Sequence, residues 1–135
     1  MSTINEAREA VYKRWNDLWI ATSFVFENET ERDLPDGSLP WVRVTVRHTS
    51  SVQDTLGPPG ARRFRRGASV LVQLYDLANS GMQTLDTLAQ SARVIFEGAS
   101  FSGLDFNNVM TRETGHDGKW SQVVVEAFFD YEEIR

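Results

Sequence analysis

Apolar and polar residues alternate most regularly from Gly67 onward. Ala68, Val70, Val72 and Leu74 fall on one parity, and Ser69, Leu71, Gln73 and Tyr75 on the other. A period of two predicts a strand. Its first face is wholly apolar and buried; its mixed second face is only partly covered. Leu77-Ala78-Asn79-Ser80-Gly81 then supplies turn formers. Met82, Leu85, Leu88, Ala89, Ala92, Ile95 and Phe96 recur at spacings of three and four, which predicts a helix with one apolar stripe. Ser80 is the expected N-cap, with Gln83 as its capping-box partner and Gly98 as the C-terminal stop. A strand running into a helix that folds back over it makes a two-layer unit, which the rest of the chain must cover or extend.

The same reading places the other elements. Thr3 and Glu6 form a capping box for a first helix, whose stripe is Ile4, Ala7, Val11, Trp15 and Leu18 and which runs to about Trp19. Ser23-Phe24-Val25-Phe26-Glu27 is a short strand. Residues 28–37 form an acidic connection closed by a Pro35-Asp36-Gly37 turn. From Pro40 to His48, Val42, Val44 and Val46 alternate with Trp41, Arg43, Thr45 and Arg47, a strand with Pro40 at its harmless first position. Residues 49–66 show no core pattern and read as a long hairpin arm, its end basic. After a loop over 98–103, residues 105–113 form a strand and Gly115-His116-Asp117-Gly118 a turn. In the closing strand Val123, Val125, Ala127, Phe129 and Tyr131 oppose Trp120, Gln122, Val124, Glu126, Phe128 and Asp130. The expected fold is α+β: a mostly antiparallel twisted sheet of about five strands, two helices packed on one face, and the long hairpin arm. The helix-free face carries Trp41, Arg43, Tyr75, Trp120 and Phe128, a mixture suited to meeting a partner.

Bulk properties narrow this picture. The 135 residues make one domain, 1–135. The net charge of −5 argues against bulk nucleic-acid binding. With no cysteine, disulfides and thiolate metal sites are excluded. The opening residues lack an apolar signal core, and no apolar run approaches a membrane span.

Reactive motifs are sparse. The two histidines, His48 and His116, stand near Asp54 and Asp117 respectively, and neither pair forms a catalytic motif. No ligand spacing suggests a metal, and no glycine loop with a lysine suggests a nucleotide. An enzyme would have to work through His48, Asp54 or His116. The strongest local feature is charge: Arg62, Arg63, Arg65 and Arg66 around Phe64. Such a cluster is solvated, or paired with carboxylates, or set against phosphates with Phe64 stacking on a base. Carboxylates for it stand at Glu29, Glu31 and Asp33 in the acidic connection and at Asp130, Glu132 and Glu133 in the tail.

The opening helix, the Pro40-Trp41-Val42-Arg43-Val44 strand start, the basic Arg62-Arg63-Phe64-Arg65-Arg66 run, the 67–96 unit and the acid-ended closing strand together resemble the tail terminator proteins of long-tailed bacteriophages, the lambda-like terminators among them. The resemblance covers nearly the whole chain, although that family has no short signature. It implies a structural virion protein, without enzymatic activity or cofactor. Six copies would form a ring that caps the tail tube, ends its polymerisation and offers a head-joining surface. The implied partners are the chain itself, the tail tube protein and a head–tail connector, with DNA passing through without sequence-specific binding and no membrane involved. The implied location is the virion tail, assembled in the host cytoplasm. A ring needs two different, matching patches on each subunit; the arginines with Phe64, and Glu29, Glu31, Asp33, Asp130, Glu132 and Glu133, are the expected halves. The alternatives are another neck or tail-completion protein, or a small nucleic-acid-binding domain using the basic arm.

Overall fold

The computed structural model describes residues 3–20, 22–26, 40–77, 81–117 and 120–135, with only the backbone given at 23, 77 and 114–117. Helix α1 (Ile4–Leu18) opens on the predicted capping box: Thr3 accepts from the Glu6 backbone N–H at 3.2 Å and the Glu6 carboxylate reaches back to the Thr3 N–H. Of its predicted stripe, Ala7, Val11 and Trp15 are buried, whereas Ile4 and Leu18 at the ends stay half exposed. Strand β1 (Ser23–Phe26), β2 (Trp41–Gln53) and β3 (Arg63–Leu77) follow, then α2 (Gln83–Phe96), β4 (Ser100–Phe101), β5 (Leu104–Asp117) and β6 (Trp120–Ile134).

All strands among the described residues join one curled sheet in the order β1-β2-β3-β6-β5-β4. The α+β expectation therefore stands, with two corrections. The described residues hold six strands rather than about five, because Phe101 pairs with Leu104 and turns part of the expected 98–103 loop into a tight hairpin. Its two turn residues, Ser102 and Gly103, both have positive φ (50° and 80°), the combination whose twist matches that of the flanking strands. In addition, β1 runs parallel to β2, from Ser23↔Trp41 to Phe26↔Val44, while every other pairing is antiparallel.

Both helices lie on one face, where the predicted parities meet them. Val42, Val44 and Val46, then Ala68, Val70, Val72 and Leu74, then Val123, Val125, Ala127, Phe129 and Tyr131 join Leu85, Leu88, Ala89, Ala92, Ile95 and Phe96 in one buried cluster. Aromatic contacts cross this layer. Trp15 packs edge-on to Phe24 and stacks on Phe96; Phe96 meets Phe106, Phe106 meets Phe129, and Phe129 meets Tyr131, all with centroids within 6.2 Å. Arg14 of α1 joins the two helices by donating from Nε to the Ile95 carbonyl at 2.8 Å, filling an acceptor that the last turn of α2 leaves open.

The start of α2 differs from expectation. Its N-cap is Met82, with no side-chain cap, and Gly81 at φ 85° makes the turn before it. Ser80 lies outside the described residues.

Candidate functional site

Half of the 49–66 stretch is strand. β2 continues to Gln53 and β3 begins at Arg63, leaving residues 54–62 as the tip of the arm. The arm also has a third strand. β6 runs beside β3 from Gly67↔Asp130 to Arg63↔Ile134, and backbone bonds between Arg62 and Arg135 (2.9 and 3.2 Å) carry the ladder one step further. The result is a three-stranded tongue of β2, β3 and β6 extending past the sheet body.

A crease marks the root of the tongue. β2 has a register shift between His48 and Ser50, and β5 has one between Phe106 and Asn108. Both fall beside the row Ser50–Gly67–Asp130–Asp105. Bulges bend and twist the strands that carry them. Gly67 is required by the close approach there: a Cβ would run into the Ser50 hydroxyl and come within 3.4 Å of an Asp130 carboxylate oxygen.

The predicted arginines and the acidic tail meet within one chain. Arg66 donates from Nε and Nη2 to Glu133 Oε1 at 3.2 and 2.9 Å, and its Nη1 also contacts the Ser51 hydroxyl. This pair is sheltered, with the two side chains only 12% and 15% exposed. Arg66 also lies over the Phe64 ring at 5.1 Å. On the opposite face, Arg63 pairs with Glu132 at 3.5 Å, and Arg65, 61% exposed, pairs with Asp54 at 3.3 Å. Arg62 donates to the Gly57 carbonyl at 2.8 Å. Asp130 accepts from Asn107 at 2.8 Å and lines, with Arg65, Asp105 and Glu132, an open hollow of about 380 Å³. Glu29, Glu31 and Asp33 lie outside the described residues.

Cross-strand register explains these pairings. Arg63 stands diagonal to Glu132, and Arg66 stands diagonal to Glu133, positions from which long opposite charges reach each other across a sheet. The sequence carried a signal of this kind: a run of cations just before Gly67 and two anions just after Asp130.

The helix-free face of the body carries the expected aromatic group, but Trp41 at its centre is buried, only 8% exposed. Trp41 stacks on Tyr75 with centroids 4.2 Å apart, Trp120 meets Trp41 edge-on at 6.2 Å, and the Arg43 guanidinium lies 5.4 Å from the Trp41 ring. Burial pushes the Tyr75 hydroxyl above the usual tyrosine pKa, and Arg43 partly offsets this.

The residues considered for catalysis go separate ways. His48 Nε2 and the Tyr131 hydroxyl are 2.8 Å apart on the helix side of the sheet. Asp54 is engaged with Arg65 on the other side. The side chain of His116 lies outside the described residues. Among the described residues, no group of three or more His, Asp or Glu is placed to hold a metal ion. Nor, among these residues, is any helix long and apolar enough to cross a membrane.

No family model and no curated protein matches this sequence. Among solved structures, the chain is similar to a protein whose name states no function, with a TM-score of 0.69 and 14% identity over 100% of this chain and 99% of that one. At that identity the likeness establishes the fold alone.

Proposed function

We propose that this chain is a structural building block of a phage tail, a terminator. Six copies form a ring on the tail tube, end its growth and present a surface to the head–tail connector. The virion tail is then its place, and its partners are further copies of itself, the tube protein and the connector. The observation that carries this reading is the tongue: three strands that run on past Gly67, charged on both faces and available to a neighbour. The whole-chain resemblance to tail terminators supports it. Pairing of Arg63, Arg65 and Arg66 with Glu132, Asp54 and Glu133 neutralises much of the basic arm. That favours a protein partner over nucleic acid, whose affinity rests on unneutralised cations.

The test is assembly. Mass by light scattering, alone and with purified tail tubes, should report six chains per particle, and electron microscopy should place the particle at one tube end. A monomer that ignores tubes and binds DNA with a steep salt slope would replace this reading with the nucleic-acid one.

A further inference from the structure

The sheet has two borders with backbone to spare. β5 pairs with β6 on one side, while on its other side β4 reaches only Asp105, and the Phe106 N–H donates to the Ala99 carbonyl at 3.0 Å. From Asn107 onward, no strand among the described residues lies along this outer side. Register shifts interrupt the strand at Phe106/Asn108 and Glu113/Gly115, and Arg112 and Glu113 add charge, both of which discourage indiscriminate pairing. Residues 107–111 between these guards are uncharged.

On the opposite border, β1 covers β2 through Val44, and Arg8 donates to the Val46 carbonyl at 3.3 Å. From Ser50 to Gln53, no strand among the described residues lies on the outer side of the tongue, and this run is also uncharged.

We propose that these borders are made for each other: the outer side of β5 in one copy pairs with the tongue border of β2 in the next. This rests on the self-assembly proposed above and names its interface. A sheet border is recognised by extended backbone, and the choice of a second copy follows from three features. Strand directions alternate through β2, β3, β6 and β5, so a neighbouring β2 placed beside β5 in the same orientation continues the antiparallel alternation. Each border carries an exposed apolar side chain on the helix-free face, Val52 (58% exposed) and Met110 (40%). The two borders differ, so the contact is head-to-tail and propagates instead of ending at a dimer.

The register adds a geometric consequence. Met110 is level with Glu126 of β6, whereas Val52 is level with Glu132, through Arg65, six residues further along. Matching the borders therefore shifts neighbouring copies by about 20 Å along the strands, against a width of about 19 Å for four strands. A ring closes with that shift when its strands incline by about 45° to the ring axis, within the range that closed sheets use.

The absence of native cysteine makes the test direct. Val52→Cys, Met110→Cys and the double variant are treated with a short bismaleimide, with particle mass and thermal melt measured on each untreated protein. The double variant should give a ladder of linked chains ending at the ring number, and each single variant should give none. Amides at 108–113 should exchange at least tenfold more slowly in the assembled particle than in dilute protein. Self-linking of Met110→Cys alone would overturn the proposal in favour of a two-fold β5 contact. Particles that form without linking and without amide protection would overturn this interface while leaving ring formation intact. A monomer at every concentration would overturn both.

Discussion

One continuous sheet is held in two ways on either side of its crease. In the body, alternate residues of β2, β3 and β6 lie under two helices, and side chains such as Val44, Val72, Leu74 and Val125 are fully buried. Beyond Gly67 the buried core thins to Tyr131, near the start of α1; cross-strand ion pairs, backbone ladders and Phe64 under Arg66 take over. Burying one aliphatic side chain contributes about 1.5–3 kcal/mol. An exposed ion pair contributes about 0–1 kcal/mol. Stability is therefore concentrated in the body, which leaves the tongue able to vary its surface for partners without unfolding the chain.

Substitutions can break or sharpen this contrast. Val72→Asp should abolish folding, because it places an unpaired charge beneath α2, and circular dichroism would report a disordered chain; a cooperative melt would contradict the facing of β3. Gly67→Val tests the crease. It should cost about 1–3 kcal/mol by crowding Ser50, and combining it with Ser50→Gly should recover part of that loss in denaturant titrations.

The arginines separate from one another. If all four were solvated, replacing them together with serine would leave the melt nearly unchanged while weakening ring formation. The structure divides them. Arg66→Ser strands the sheltered Glu133 carboxylate and should cost about 1–3 kcal/mol, with a double-mutant cycle against Glu133→Gln showing coupling. Arg65→Ser, at an open position, should change stability by less than about 0.5 kcal/mol.

The smallest effect concerns alkaline pH. Burial raises the Tyr131 pKa; Arg66 and Arg8 oppose that rise and Glu133 adds to it. A hydroxyl that holds its proton more tightly when folded contributes stability that is complete below its unfolded pKa, about 10. That contribution disappears as pH rises through the higher folded value. Tyr131→Phe should therefore flatten the loss of melting temperature above about pH 10. An unchanged alkaline slope would mean that Tyr131 does not carry it.

The body was legible because burial on one face imposes a period. Val42-Val44-Val46 and the 68–74 alternation declare their facing without knowledge of neighbours. The tongue was not legible in that way. Gln53, Phe64, Arg65 and Glu132 face solvent in part on both sides, so no contrast between parities marks them as strand. The parallel pairing of β1 left no trace in four residues, since Phe24 and Phe26 suit either direction. The Ser80 cap misled because a local hydroxyl signal is weak beside tertiary packing: Leu85 and Leu88 fix the helix, and Gly81 supplies the turn. Opposite charges at Arg65, Arg66, Glu132 and Glu133 were visible from the start, but only the register shows that they meet inside one subunit.

The proposal that the tongue serves assembly is tested most directly by particle mass. Light scattering on the wild type and on the Arg62→Ser/Arg63→Ser/Arg65→Ser variant, which leaves the sheltered Arg66 pair in place, should give six chains of 15.3 kDa each for the former. The variant should give lighter particles at equal concentration, with the same melting temperature. Identical masses for both proteins, or a wild type that stays monomeric with tail tubes present, would contradict it.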